Sequence, residues 1–270
     1  MRELYFAGRA WPADRGYIMG ILNVTPDSFS DGGCFSDTER ALRHAEQMIA
    51  DGADIIDVGG ESTRPGYQGV DEEEEIRRVI PVIRAIRARF SVPVSVDTSK
   101  SRVAAMAMEA GADMINDVWG LKRDPEMAKV AARYDAGLCI MHNRKKPVYE
   151  DFLPDVLSDL RESLLAAAEA GVKESRIVVD PGVGFAKSYE QNLQILKHLE
   201  LLAQTGFPTL LGTSRKSVIG LALQLPVEER LEGTVATTVM GRMKGALIFR
   251  VHDVKENRRA LDMTDRVMGA

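Results

Sequence analysis

The chain of 270 residues is poor in the features that mark several large classes of protein. It has only 2 cysteines, Cys34 and Cys139, which are too few for a disulfide framework or a cysteine-rich zinc site. It has no run of about 18 apolar residues of the kind that spans a membrane. Charges at Arg2, Glu3 and Arg9 make its first segment unlike a signal peptide. We therefore expect a reducing, cytoplasmic setting for the protein.

Positive charge is not in excess either. The 35 basic residues are outnumbered by 40 acidic ones, and the net charge is −5. Such a charge provides no general attraction to nucleic acid or to acidic membranes. We expect neither as a partner.

The chain also lacks a linker, and short β-branched runs alternate with helical patterns along its whole length. The runs predict 8 strands, at 17–22, 54–58, 93–96, 114–117, 137–141, 176–179, 209–211 and 246–251. Amphipathic segments predict helices, for example at 37–50, 71–89, 100–109, 125–134, 155–170, 189–203 and 227–244. This order predicts an α/β fold, a (βα)8 TIM barrel, as a single domain over residues 1–270. A doubly wound parallel sheet is the alternative, which the lack of a GxGxxG motif after the first run disfavours.

Residues 1–16 precede the first predicted strand of the barrel. Within them, the segment LYFAGRAW predicts a short hairpin that closes the N-terminal end of the barrel. At the opposite end, a polar cluster follows every predicted strand, and in a (βα)8 barrel those strand ends converge on one face. That face is where such barrels carry their active sites.

Two binding surfaces are predicted from the residue types on this face. Asp97, Asn116 and Asp180 offer acceptors and donors that suit a flat heterocycle with an amino-pyrimidinone edge. The carboxylates could equally serve in acid–base chemistry, hold a metal, or cap the following helices. A plausible anion site for a phosphate or diphosphate is formed by Asn23, Thr63, Arg64, Arg250 and His252.

Three further features concern the same face. The polar loops 25–33 and 61–66 carry Phe29, Asp31, Arg64 and Pro65, and could close over a ligand and exclude water. Asp57 is expected inside the barrel with a structural partner. His142 fits a structural and a functional interpretation equally well and stays outside the catalytic set.

Eight segments resemble, in the same order, the signature segments of the dihydropteroate synthase family. They are MGILNVTPDSFSDGG (19–33), GGESTRPG (59–66), SVDT (95–98), INDVWG (115–120), MHNR (141–144), DPGVGF (180–185), GTSRKS (212–217) and FRVHDV (249–254). The resemblance extends over about residues 3 to 262. One small departure is Ala186, in GFAKS, where family members often carry a second Gly.

The resemblance implies a barrel enzyme of folate synthesis. Its reaction condenses 6-hydroxymethyl-7,8-dihydropterin diphosphate with 4-aminobenzoate, giving 7,8-dihydropteroate and diphosphate by a dissociative step. It also implies Mg²⁺ as cofactor, competition by sulfonamides, and a homodimer. A methyltetrahydrofolate:corrinoid methyltransferase would not need the 25–33 loop, the lysine of SRKS or the RVH segment, and a non-catalytic paralogue would have lost some of them.

The resemblance also implies a role for each matched residue. The pterin ring would be held by Asp97, Asn116, Met141, Asp180, Phe185 and Lys216. The diphosphate would be bound by Asn23, Thr63, Arg64, Arg250 and His252, with Asn23 also on Mg²⁺. The aminobenzoate pocket would be formed by Phe29, Pro65, Arg215, Lys216 and Ser217. The catalytic residues would be Asp97, Lys216, Asp31 and Arg64.

Overall fold

The computed structural model describes residues 2–24, 34–61 and 69–270. A hairpin comes first, and eight parallel strands follow. Each of them precedes an α-helix that is packed outside the sheet, and the seventh precedes two. The strands are β1 (Leu4–Phe6), β2 (Arg9–Trp11), β3 (Tyr17–Asn23), β4 (Ile55–Gly59), β5 (Val94–Asp97), β6 (Met114–Asp117), β7 (Gly137–Met141), β8 (Ile177–Asp180), β9 (Leu210–Leu211) and β10 (Ile248–Val251).

The α-helices lie between and after the barrel strands. They are α1 (Cys34–Ala50), α2 (Glu72–Arg89), α3 (Ser101–Glu109), α4 (Glu126–Arg133), α5 (Phe152–Glu169), α6 (Tyr189–Lys197), α7 (Ser217–Leu223), α8 (Leu231–Met243) and α9 (Val254–Met268). Short 3₁₀ turns cover Glu174–Arg176, Leu199–Thr205 and Val227–Glu229. No helix in these described ranges is long and apolar enough to cross a membrane.

The predicted barrel is confirmed. The parallel strands follow the order β8-β7-β6-β5-β4-β3-β10-β9. The first barrel strand, β3, therefore lies between the second, β4, and the last, β10, as a closed barrel requires. A single parallel bridge between Val179 and Thr209 joins β8 to the start of β9 and closes the ring. All five residues of β4 and all four of β5 are buried, as expected for strands covered on both faces.

The N-terminal hairpin closes the bottom of the barrel, as predicted. Antiparallel β1 and β2 bring Phe6 and Trp11 together, with their rings stacked at 4.5 Å between centroids. Trp11 also donates its indole N–H to the carbonyl of Phe6 at 3.2 Å. Both side chains pack in one buried cluster with Met114, Cys139 and Val178 of the barrel strands. This cluster fills the barrel end opposite the polar strand ends.

The helix predictions were less accurate than the strand predictions. The segment predicted as one helix over 227–244 is a 3₁₀ turn followed by α8, and α7 lies where no helix was predicted. Helix α7 has 7 residues, Ser-Val-Ile-Gly-Leu-Ala-Leu, without the polar face that reveals an amphipathic helix. The remaining predicted helices correspond to observed ones, with ends shifted by a few residues or finished by a 3₁₀ turn.

Candidate active site

The strand register places three predicted site residues and Gly59 side by side at the carboxyl ends of β3 to β6. Asn23 pairs with Gly59, Gly59 with Asp97, and Asp97 with Asn116. A Cβ on Gly59 would lie 3.6 Å from Asn23 Oδ1 and 3.7 Å from Asp97 Oδ2. The bare backbone of Gly59 therefore keeps the space between these two oxygens open.

A buried ionic network underlies this row. Arg250 Nε donates to Asp57 Oδ2 at 2.6 Å, and Arg250 Nη2 donates to Asp97 Oδ2 at 2.7 Å. Asn116 Nδ2 donates to the same Asp57 oxygen at 3.3 Å. The expected structural partner of Asp57 is thus Arg250. Asp57 was not named as a site residue, although it joins a residue predicted for the diphosphate to one predicted for the pterin.

The two carboxylates of the network each keep one oxygen available. Asp57 Oδ1 and Asp97 Oδ1 are buried and have no hydrogen-bond partner in the described parts of the chain. Burial raises the pKa of Asp97 to about 7, against the lowering effect of Arg250. Burial would lower the pKa of Arg250, but Asp57 and Asp97 outweigh it and raise the pKa. A ligand with N–H donors would relieve the unpaired oxygens.

The helix-cap interpretation is wrong for both Asp97 and Asp180, because the helix after Asp180, α6, is capped by Ser188. Helix α3 begins after Lys100, and the amide of Lys100 donates to Thr98, so Asp97 has no capping role. Asp180 Oδ1 instead accepts a hydrogen bond from the amide of Gly182 at 2.6 Å. One oxygen of Asp180 therefore shapes the loop that follows β8.

Lys216 and Phe185 lie together beside Asp180. Lys216 Nζ donates to the carbonyl of Val183 at 2.6 Å and lies 4.8 Å from the ring centroid of Phe185. Burial lowers the pKa of Lys216 to about 8, although the carboxylate of Asp180 opposes the shift. Burial likewise raises the pKa of Asp180, with Lys216 opposing. The arrangement combines a flat apolar face with a cation and a carboxylate.

Seven predicted site residues line one cavity of about 260 Å³ at the mouth of the barrel: Asn23, Phe185, Arg215, Lys216, Ser217, Arg250 and His252. The remaining walls are Ile21, Gly184, Gly212, Ser214, Val227 and Arg230. The four other predicted pterin residues are buried, none more than 4% exposed: Asp97, Asn116, Met141 and Asp180. The register sets Met141 opposite Asp180.

Two cavity residues have partners that could not be foreseen. Ser214 Oγ accepts from the backbone N–H of His252 at 3.1 Å and lies 3.0 Å from His252 Nδ1. Ser214 thereby fixes the imidazole, a function that the motif SRKS did not reveal. Arg215, at φ +57°, makes a two-point ion pair with Asp253, so part of its guanidinium is engaged before any ligand binds.

Five predicted site residues lie outside the described parts of the chain: Phe29, Asp31, Thr63, Arg64 and Pro65.

The donor set fits a magnesium ion that arrives with a phosphate group. Within the described ranges, no group of three or more His, Cys, Asp or Glu residues could hold a metal. The amide oxygen of Asn23 is the kind of hard ligand that Mg²⁺ takes, and Mg²⁺ commonly keeps several waters and binds through substrate phosphates. Asn23 shares the cavity with Arg250 and His252, which suits such a complex.

Comparison with known proteins points in one direction. The family model described as pterin binding enzyme matches residues 19–252. A dihydropteroate synthase of Clostridium beijerinckii is 60% identical over 256 residues, which cover 94% of this chain and 95% of that protein. The crystal structure of a Clostridium difficile dihydropteroate synthase with pteroic acid has a TM-score of 0.92 and 53% identity, covering 94% of this chain and 97% of that one. The Xanthomonas albilineans dihydropteroate synthase with 4-aminobenzoic acid has a TM-score of 0.94 and 44% identity, covering 99% and 98%.

Proposed function

The chain belongs to the pterin-binding enzyme family as one of its dihydropteroate synthases, and from that premise we propose how its residues share the reaction. The enzyme is a transferase of folate biosynthesis. It condenses 6-hydroxymethyl-7,8-dihydropterin diphosphate with 4-aminobenzoate to give 7,8-dihydropteroate and diphosphate. The observation that carries the assignment of roles is the buried network in which Arg250 bridges Asp57 and Asp97 while one oxygen of each carboxylate stays unpaired.

The pterin ring binds at the buried end of the site. Asp97 and Asp180 accept from its N–H groups, and Asn116 pairs with its amino-pyrimidinone edge. Met141 and Phe185 contact the faces of the pterin. Lys216, whose ammonium lies over the Phe185 ring, donates a hydrogen bond to the pterin. The support is the burial of these groups and the unpaired oxygen of Asp97.

The diphosphate binds at the neighbouring cationic side of the cavity. Arg250 and His252 donate to it, together with Thr63 and Arg64. Asn23 would hold Mg²⁺ together with the diphosphate, and the ion would supply positive charge that stabilises the leaving group. The support is the oxygen of Asn23 in the same cavity as Arg250 and His252.

The reaction begins with cleavage of the bond between the pterin methylene and the diphosphate oxygen. The diphosphate leaves with the electron pair, and the cation that remains is delocalised into the pterin ring. The carboxylate of Asp97 stabilises this cation electrostatically. The neutral arylamine then attacks with its own lone pair and loses a proton, so no strong general base is needed.

The second substrate binds nearer the mouth. Arg215, Lys216 and Ser217 form its pocket with Phe29 and Pro65, and sulfonamides compete there. Asp31 and Arg64, from the loops at 25–33 and 61–66, complete the catalytic set. These loops exclude water, which would otherwise hydrolyse the cation.

Residues 1–270 form one domain, and the enzyme acts in the cytoplasm as a homodimer. The dimer is supported by a group of exposed apolar side chains on the last three helices: Leu221, Leu223, Met240, Met243, Met263 and Val267. Large apolar side chains exposed on neighbouring helices are typical of protein interfaces.

Activity is tested by diphosphate release from the purified protein with Mg²⁺. Release should depend on both the pterin diphosphate and 4-aminobenzoate. A release rate that 4-aminobenzoate does not change would rule out the synthase reaction.

The diphosphate side is tested by His252→Asn, with His198→Asn, at a half-buried histidine away from the cavity, as matched control. We expect His252→Asn to raise the KM for the pterin diphosphate by about tenfold, because one donor to the diphosphate is weakened. Binding of 7,8-dihydropteroate, which has no diphosphate, should stay unchanged. Equal losses for both ligands would contradict the assignment.

A further inference from the structure

The loop 181–187, between β8 and α6, has an unusual backbone. Gly182, Gly184 and Ala186 all have positive φ, at +68°, +85° and +43°, so alternate residues lie in the left-handed region. The Ala186 departure from the family pattern thus sits where an alanine is strained by about 1 kcal/mol relative to glycine. A backbone of this shape needs hydrogen-bond partners other than its own backbone groups.

Side chains supply those partners. The carbonyl of Val183 accepts from Lys216, and the carbonyl of Ala186 accepts from Tyr149 at 2.8 Å. The carbonyls of Gly182 and Phe185 both accept from one group, the ammonium of Lys187, at 2.9 and 3.1 Å. Lys187 therefore joins the beginning of the loop to its end.

The third contact of Lys187 is with His142, which does not line the cavity. Its ammonium lies 2.8 Å from His142 Nδ1, and His142 Nε2 lies 3.0 Å from Asp159 Oδ2 on α5. Burial lowers the pKa of His142 to about 4, so the ring is neutral at pH 7 and carries one proton. Because the ammonium can only donate to Nδ1, that proton is on Nε2, where it is donated to Asp159.

The charges of Lys187 and Asp159 agree with this direction of hydrogen bonding, from Lys187 through His142 to Asp159. Burial lowers the pKa of Lys187 to about 7, with Asp180 opposing, yet its three acceptors correspond to the three N–H bonds of the ammonium form. Burial would raise the pKa of Asp159, but hydrogen bonds from His142 and Arg144 outweigh it and hold the pKa below its usual value. The carboxylate is therefore a permanent acceptor that fixes the His142 tautomer.

We propose that Lys187, His142 and Asp159 are positioning residues for pterin binding, because they hold loop 181–187 in the shape that sets Phe185 and Asp180 around the ring. The proposal rests on the roles proposed above for Phe185 and Asp180. The backbone also contributes, since the amide of His142 donates to the carbonyl of Asp180 at 2.8 Å. None of the three positioning side chains lines the cavity of about 260 Å³ at the mouth.

The first test is Lys187→Met, with the exposed Lys129→Met as control for loss of a lysine. A distorted loop weakens ground-state contacts to the pterin. We therefore expect the KM for the pterin diphosphate to rise by about tenfold to a hundredfold while kcat stays within about threefold. An unchanged KM in a folded variant, or a loss in kcat alone, would overturn the proposal.

The second test uses two variants at Asp159. It tests the positioning role even if Lys187→Met does not fold. Both remove the same charge from Arg144 and Lys122, but only Asp159→Asn keeps an acceptor for His142. We expect Asp159→Asn to keep a KM within about threefold of the unmodified enzyme, and Asp159→Ala to raise it by about fivefold or more. Equal KM values for the two variants would overturn the proposal.

A third variant separates this proposal from the assignment of the site itself. Asp180→Asn should weaken binding of 7,8-dihydropteroate, measured by calorimetry, if Asp180 contacts the pterin. Normal binding by Asp180→Asn would refute the site. Weak binding by Asp180→Asn with normal binding by Lys187→Met would refute the positioning role alone.

Discussion

Replacing Asp97 by asparagine removes one negative charge from the site while changing few atoms. If Asp97 stabilises the pterin cation, Asp97→Asn should lower kcat more than it raises the KM for the pterin diphosphate. The substituted side chain can still accept a hydrogen bond through its amide oxygen. Ground-state binding should therefore be largely retained.

The size of the effect follows from the surroundings of the carboxylate. Two opposite charges about 4 Å apart interact by about 4 kcal/mol at an effective dielectric constant of about 20, which is about a thousandfold in rate. Arg250, at 2.7 Å from Asp97 Oδ2, already compensates part of that charge. We therefore expect the lower end of the range for a lost electrostatic stabiliser, about a hundredfold in kcat.

The assay is diphosphate release with the pterin diphosphate varied at saturating 4-aminobenzoate, followed across pH 5 to 9. Since burial raises the pKa of Asp97 to about 7 and only the carboxylate stabilises a cation, kcat/KM of the unmodified enzyme should fall as pH drops below about 7. Asp97→Asn should lack this acidic limb. Ser95→Ala is the matched control, because its buried hydroxyl on the same strand has no partner in the described chain. A higher KM with unchanged kcat would refute the cation-stabilising role.

Two predictions concern the fold. Gly182→Ala should prevent normal folding, because its Cβ would lie 2.0 Å from the carbonyl oxygen of His142. Gly171 also has a positive φ but open space around it, so Gly171→Ala should lower the free energy of unfolding in urea by only about 1 kcal/mol. Similar losses for both variants would contradict the steric argument. Lys100→Met should lower the free energy of unfolding by about 3 to 5 kcal/mol, because it leaves Glu75, only 1% exposed, without its counter-charge. A loss under about 1 kcal/mol in urea titration would contradict this reasoning.

Sequence patterns predicted the barrel well because strand ends coincide with changes from apolar to polar residues. Each of four polar residues is the last residue of its strand: Asn23, Asp97, Asp117 and Asp180. Since parallel strands present those ends on one face, position along the chain alone brought most of the site together. Helix α7 was missed because it has no polar face to produce a periodic pattern.

Pairings across the barrel could not be predicted in the same way. Arg250 was assigned to an anion, yet it lies between Asp57 and Asp97, which depends on the closure that brings β10 beside β3. The contact of Lys187 with His142 joins residues 45 positions apart, and no local period links them. Such contacts follow from the three-dimensional register, which a single sequence does not display.

The bridge between Val179 and Thr209 makes the wall between β8 and β9 the weakest seam of the barrel. Strand β9 has only 2 residues, so little ladder hydrogen bonding resists separation there. Asp180 ends β8 on one side of this seam, and Lys216 follows β9 on the other. If both hold the pterin as proposed, the bound ligand connects the two sides of the seam, so occupancy of the site and integrity of the ring are thermodynamically linked. Local opening at this seam should accordingly be suppressed whenever the pocket is filled.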